Sequence, residues 1–312
     1  MNLGVEIRKT PLFLAIACLV FSTLWCSAAE RAVVSVVFPS DVEAYRQAWE
    51  GFQGFFDAKK VPLWVSEYNL KKEEPAAVYS RINKAEPAVV VTLGTKASKL
   101  AKEKIKNIPV VFCMVFHPEE ISTSNITGVS MEIPVEIKLQ GIKRILPDTK
   151  KIGVIYSPGL TAAYKEISRI GRQMGFKFIG KRIDSEGGFP NALKDISRRI
   201  DCFLMIPDSK IYSPGSVKHL LLQSLREKFP VVGLSSLYTK AGALFSFDCN
   251  YNDLGRQAAK ITLRILNGER PAYIECSIPR KTKLSLNRIA AERLGIDIPP
   301  QIIKEASEVF SE

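Results

Sequence analysis

The stretch "EPAVVVTLGTKASKLAKEKIKNIPVVFCMVF", residues 86–116, holds two valine-rich runs separated by a segment studded with lysines. Neither run alternates apolar with polar residues. A strand needs continuous apolar character only when both faces of its sheet are covered, as in a parallel sheet flanked by helices. The segment from Lys96 to Lys106 supplies the connecting helix, with its charges on a solvated face. Two parallel strands joined in this way deliver their loops, Leu93-Gly94-Thr95 and Met114 to Pro118, to one edge of the sheet.

Working outward, strand-length apolar runs recur at 33–38, 61–65, 88–93 and 109–116, and a second series follows Pro147 at 152–156, 176–179, 202–206, 230–234 and 243–247. Helical stretches separate them. After the first run, Ser40 and Glu43 have capping-box spacing, and Tyr45, Ala48, Trp49, Phe52, Phe55 and Phe56 share one helical face that reads as core. Thr161 is a candidate helix cap, and Ser213-Pro214 puts proline at a first helical position, where its missing N–H costs nothing. The two series echo each other: strand, loop, helix and "NIPVV" in residues 88–111, then strand, loop, helix and "KFPVV" in residues 202–232. This predicts an α/β protein of two doubly wound parallel-sheet lobes. Beyond Phe247, Leu254, Ala258, Ile261 and Ile265 trace a helix that stops at Asn267-Gly268. "YIECSIPRKTKLSLN" reads as a strand pair, followed by a short helix near Ala290 to Leu294 and a last helix after Pro299-Pro300.

The 312 residues, 46% hydrophobic, are enough for two domains with large cores. Residues 1–29 stand apart: Arg8-Lys9, an apolar segment from Leu12 to Phe21, and small residues Ser27, Ala28 and Ala29 describe a secretory signal cleaved after Ala29. An uncleaved anchor needs a longer apolar run, and a lipid attached at Cys26 would follow the bulky Trp25. Removing residues 1–29 takes away Glu6, Arg8 and Lys9, lowering the formal charge from +12 to +11. The remaining positive charge is scattered along helices, which argues against a nucleic-acid track. Cys113, Cys202, Cys249 and Cys276 are too widely spaced for a metal site; an oxidising compartment would allow one disulfide, which the sequence cannot pair.

In open parallel sheets, ligands bind beyond the carboxyl ends of the strands. The loops there carry Ser40, Thr95, Phe116 and His117 in the first series and Ser157, Thr161, Asp208, Ser209, Ser235 and Ser236 in the second. Each hydroxyl has helix capping as its competing role. No nucleophile elbow, Walker loop, zinc-type His-Glu pattern or glycine-rich dinucleotide fingerprint is present. Neither catalysis nor a cofactor is expected.

The segments "IPVVFCMVFHP" (108–118), "NITGVSMEIPVEIKLQGIKRILPDTKKIGVIYSPG" (125–159), "LMIPDSKIYSPGSV" (204–217), "FPVVGLSSLYTKAGALFSFDCNYNDLGRQAAKITLRILNGERPAYI" (229–274) and "LSLNRIAAERLGI" (284–296) resemble the substrate-binding proteins of ATP-binding-cassette importers. Within these, the chain is similar to the family with tryptophan- and tyrosine-type binding members. The resemblance implies a type I periplasmic binding protein fold whose lobes, joined by a multi-crossover hinge, close on a ligand. Lobe 1 is expected at 30–148 plus 249–275 and lobe 2 at 149–248 plus 276–312, with crossovers near Leu146-Pro147-Asp148 and Asp248-Cys249. It also implies a monomer in the periplasm that hands a small molecule to an inner-membrane permease, with no nucleic acid and no metal involved. A module of the same fold feeding a membrane kinase or cyclase is the alternative. The chain departs from the amino-acid-binding pattern at His117-Pro118 and Ser235-Ser236, where acidic residues are usual. Asp208 and Asp248 remain as partners for an ammonium group, beside Phe38, Phe116, Tyr212 and Tyr251 as apolar walls, with core packing the competing role of Phe38, and a less cationic or anionic ligand stays open.

Overall fold

The computed structural model describes residues 32–311. The expected signal segment lies outside the described residues. Strands β1 (Ala32–Phe38), β2 (Leu63–Asn69), β3 (Val89–Leu93), β4 (Val110–Val115) and β5 (Ile126–Ser130) form one parallel sheet in the order β2-β1-β3-β4-β5. Residues 86–116 form its centre: β3 and β4 are buried at every position and pair in register from Val90↔Val110 to Leu93↔Cys113. Their helix, Gly94–Lys104, buries Ala97, Ser98 and Ala101 and leaves its lysines outward. Burying valine on both faces removes apolar surface at about 25 cal/mol per Å2, which is what makes the two-sided covering worthwhile.

The second sheet holds β6 (Lys151–Tyr156), β7 (Lys177–Arg182), β8 (Cys202–Leu204), β9 (Val231–Gly233), β10 (Phe245–Cys249), β11 (Thr282–Asn287) and β12 (Glu308–Phe310) in the order β12-β11-β10-β9-β8-β6-β7. Strands β6 to β10 are parallel, and β11 alone runs antiparallel to its neighbour β10. Both lobes are α/β, and in each the first strand of the sheet lies between its next two, so the order reverses there and the strand ends open a crevice.

Local signals differ in how well they hold. Ser213 caps helix Pro214–Glu227, accepting from the N–H groups of Gly215 and Ser216. The Ser40 capping box does not form: helix Glu43–Lys59 starts after an extended Val42 with no side-chain cap. Asp41 is drawn to the Asn69 amide at 2.8 Å, which holds this loop against β2 and delays the helix. The aromatic face is core as expected, with Trp49 stacked on Phe52 at 4.8 Å between centroids. Thr161 is the first residue of helix Thr161–Gln173, not its cap; its hydroxyl donates to the Pro158 carbonyl at 2.7 Å.

The chain changes cores three times. The first change comes one helix earlier than the expected Leu146-Pro147-Asp148. Helix Val135–Ile145 already packs in the second lobe, where Leu139, Ile142 and Ile145 meet Val154 and Phe245. The crossing segment is therefore Met131–Pro134, because helical periodicity shows that a face is buried but not which sheet it covers. The second crossing follows β10, and helix Tyr251–Leu266 returns to the first core through Leu254, Ala258, Ile261 and Ile265. The expected strand pair in "YIECSIPRKTKLSLN" is split: Ser277 exchanges backbone bonds with Gly128 and Ser130 at the edge of β5, while Thr282–Asn287 joins β10 in the other sheet. The third crossing lies between them, so Cys276 packs with the first lobe, not the second.

The returning helix is held by backbone contact. A Cβ on Gly51 would sit 2.0 Å from the Asn252 carbonyl oxygen, and one on Gly255 only 1.7 Å from that of Ala48. No side chain fits at either glycine. Gly255→Ala is expected to force them apart and lower unfolding free energy by roughly 2–3 kcal/mol, measured by urea denaturation; a midpoint equal to that of the parent would contradict this packing.

Candidate functional site

A cavity of about 720 Å3 lies between the lobes. All three crossings contribute to its wall: Met131 to Pro134 from the first, Asp248 and Cys249 at the end of β10 with Tyr251 just beyond the second, and Ile278 from the third. The first lobe adds Phe116 and His117 beyond β4. The second adds Lys138, Leu160, Ala163, Ile167, the segment Ile206 to Ser209, Tyr212, Leu234, Ser235 and Tyr238.

The loop after β4 is aimed by an irregularity in the strand. Pairing with β5 slips between Cys113 and Val115, and Met114 takes φ 64, so the strand end bends as bulged strands do. His117 follows with φ 54, an uncommon conformation for a residue with a side chain. Its N–H donates to Glu132 Oε1 at 3.0 Å, and its Nδ1 lies 3.3 Å from the same oxygen and 3.4 Å from Glu119. Glu132, in the first crossing, thereby anchors a loop of the first lobe.

Two further carboxylates are held from the second lobe. Asp208 is 9% exposed, and its oxygens accept from Ser157 N at 2.8 Å and Lys210 N at 3.1 Å. Asp248 accepts from Cys249 N at 2.9 Å, the Tyr251 hydroxyl at 2.8 Å and Ser236 N at 3.4 Å. Burial together with this carboxylate pushes the Tyr251 phenol well above its ordinary range, so it stays a donor. Burial, reinforced by Asp248, pushes the Cys249 thiol up to about 12. Lys138 is half-buried; burial drives its ammonium down, opposed by the nearby Cys249 and Glu132.

Of the residues expected from sequence, Phe116, His117, Asp208, Ser209, Ser235, Asp248 and Tyr251 gather on this cavity. Others stand behind it. Thr95 accepts from Phe116 N at 3.3 Å, Ser157 and Ser236 present N–H groups to Asp208 and Asp248, and Thr161 bonds within its own turn. Ser40 sits in the bend after β1, away from the cavity wall. Glu132, Lys138 and Tyr238 were not singled out by the sequence; nothing in their spacing separates them from ordinary surface residues. Cys113, Cys202, Cys249 and Cys276 are all free thiols.

Two outcomes follow from this geometry. Asp208→Asn is expected to cost about 2 kcal/mol of stability in thermal or urea unfolding, because one of the two backbone N–H groups then faces an amide N–H; an unchanged midpoint would show that these bonds do not hold the loop. At pH 8 the native protein should leave Cys113, Cys202 and Cys249 unmodified by a maleimide, whereas the unfolded chain reacts at each; rapid native labelling at Cys249 would contradict its burial.

Residues 48–310 match the family model described as "ABC transporter substrate binding protein". A curated relative, the tyrosine-binding protein of Clostridioides difficile (strain R20291), is 20% identical over 219 residues, 67% of this chain; the match spans only 63% of that protein's length. Among solved structures, a ligand-free, open substrate-binding protein with adhesive properties from Clostridium difficile aligns at TM-score 0.76 and 19% identity, covering 90% of this chain and 100% of that one. A Streptococcus pneumonia ABC domain in complex with L-Trp aligns at TM-score 0.65 and 20% identity over the same shares. These likenesses agree with two lobes of the type I periplasmic binding fold, and the extent of the family match makes the chain a member of the ABC transporter substrate-binding protein family.

Proposed function

We propose that this protein is the periplasmic solute-binding component of an ABC importer, capturing an amino acid with an apolar or aromatic side chain between its lobes and presenting it to an inner-membrane permease. The observation that carries this reading is the interlobe cavity itself. Its volume, about 720 Å3, suits a small molecule. Its walls combine Phe116, Tyr212, Tyr238, Tyr251 and aliphatic side chains with carboxylates already oriented by backbone N–H groups.

The acidic positions replaced by His117-Pro118 and Ser235-Ser236 do not leave the cavity without an acceptor for an ammonium group. Asp208 and Asp248 reach it from the second lobe, and each keeps lone pairs beyond those its backbone donors use. A ligand bound between the lobes favours closure by its differential affinity for the closed arrangement, and no chemistry on the ligand is required. The names of the tyrosine-binding relative and the L-Trp complex support the same ligand class. A secretory signal at residues 1–29, ahead of the described residues, and a monomeric state are part of this proposal.

Thermal unfolding in the presence of single amino acids, nucleosides and small organic acids tests this. A true ligand at ~100 times its dissociation constant adds ~2.7 kcal/mol of apparent stability, and an aromatic amino acid is the expected hit. No shift with any amino acid would overturn the ligand class.

A further inference from the structure

We infer that Lys138 is the counter-charge for a carboxylate on the ligand, so that the protein selects molecules with an anionic group and closes productively only on them. The inference rests on the interlobe cavity being the ligand site.

Lys138 lies on helix Val135–Ile145, immediately after the first crossing, and faces the cavity. Each carboxylate on that wall already has donors: Asp208 two backbone N–H groups, Asp248 a backbone N–H and the Tyr251 hydroxyl, Glu132 the backbone N–H of His117, whose ring nitrogen Nδ1 lies 3.3 Å from the same oxygen. Among the ion pairs of the described residues, none includes Lys138. Glu132 and Cys249 lie near enough to act on its ammonium, against the larger effect of burial, and neither forms an ion pair with it. A second donor on the same wall is also unsatisfied: the Tyr212 hydroxyl is buried with no hydrogen-bond partner.

Closing the lobes takes this ammonium further out of water. An uncompensated charge in that position opposes closure, and a buried donor without an acceptor adds to the penalty. A ligand carboxylate placed against Lys138 removes the first penalty, and a ligand acceptor that meets the Tyr212 hydroxyl removes the second. The differential affinity that drives closure is then concentrated in one ligand group. Esters, amides and amines of the same shape leave Lys138 unpaired and lose it.

The test titrates the full chain calorimetrically with three kinds of probe: L-tyrosine and L-tryptophan, the amines tyramine and tryptamine, and the deaminated acids 3-(4-hydroxyphenyl)propionate and indole-3-propionate. Wild type should bind carboxylate-bearing probes on the order of 100-fold more tightly than the amines. Lys138→Met should lose a similar factor for the carboxylates and nothing for the amines, and Lys138→Arg should recover part of it. The melting temperature of each ligand-free variant controls for folding, with Lys138→Gln as the second variant should Lys138→Met fail to fold. Amines binding as tightly as the amino acids, unchanged carboxylate affinity in the Lys138 variants, or no binding by any carboxylate probe overturns the inference. Binding of the deaminated acids but not the amino acids would instead remove the amino-acid reading and leave Lys138 in place.

Discussion

Two helices from opposite ends of the described chain, Glu43–Lys59 and Tyr251–Leu266, meet backbone to backbone at Gly51 and Gly255, and the arrangement of the lobes depends on that contact. Together with the buried face of Leu254, Ala258, Ile261 and Ile265, it draws the chain leaving β10 back to the first core. With it, the chain must cross back near Cys249, complete the edge of β5 with Ser277, and cross again to lay β11 against β10. The three crossings that result form one side of the cavity. A pair of residues lacking side chains thus determines where charged and aromatic groups far away in sequence are brought together.

The cavity's carboxylates are held, not merely present. Asp208 and Asp248 are each bonded to main-chain N–H groups in the loops where the second sheet ends, so their positions are set by the same backbone that forms the strands. Acceptors fixed in this way lower the cost of organising a site when a ligand arrives. Lys138 is the exception. It comes from a helix side, has no fixed partner, and faces a cavity whose other charges are already engaged.

The fold was legible because its signal is physical and local. A run such as Val89–Leu93 has to be buried on both faces, and the helix between it and Val110–Val115 has to place lysines outward, whatever surrounds them. Ser213-Pro214 was readable for the same reason, since a cap acts within one turn. The Ser40 cap failed because Asp41 had a stronger use elsewhere, on Asn69 of a neighbouring strand. The cavity lining was legible where it lies on loops after parallel strands, as His117, Asp208 and Ser235 do. It was illegible at Glu132 and Lys138, which reach the cavity only because helix Val135–Ile145 packs on the second sheet, not the first.

By itself, the sequence determined the two α/β lobes, the alternation of their central strands and helices, and which loops face a common edge, since hydrophobic burial and parallel pairing are decided within thirty or so residues; the strand-length runs read from it leave out the edge strands Ile126–Ser130 and Glu308–Phe310. Only the tertiary structure decided which lobe each connecting segment joins, which loop hydroxyls turn toward the cavity and which stand behind it, and which charge is left without a partner. Those outcomes depend on contacts between segments far apart in the chain, where an apolar face or a lysine looks the same in sequence whichever surface it finally meets.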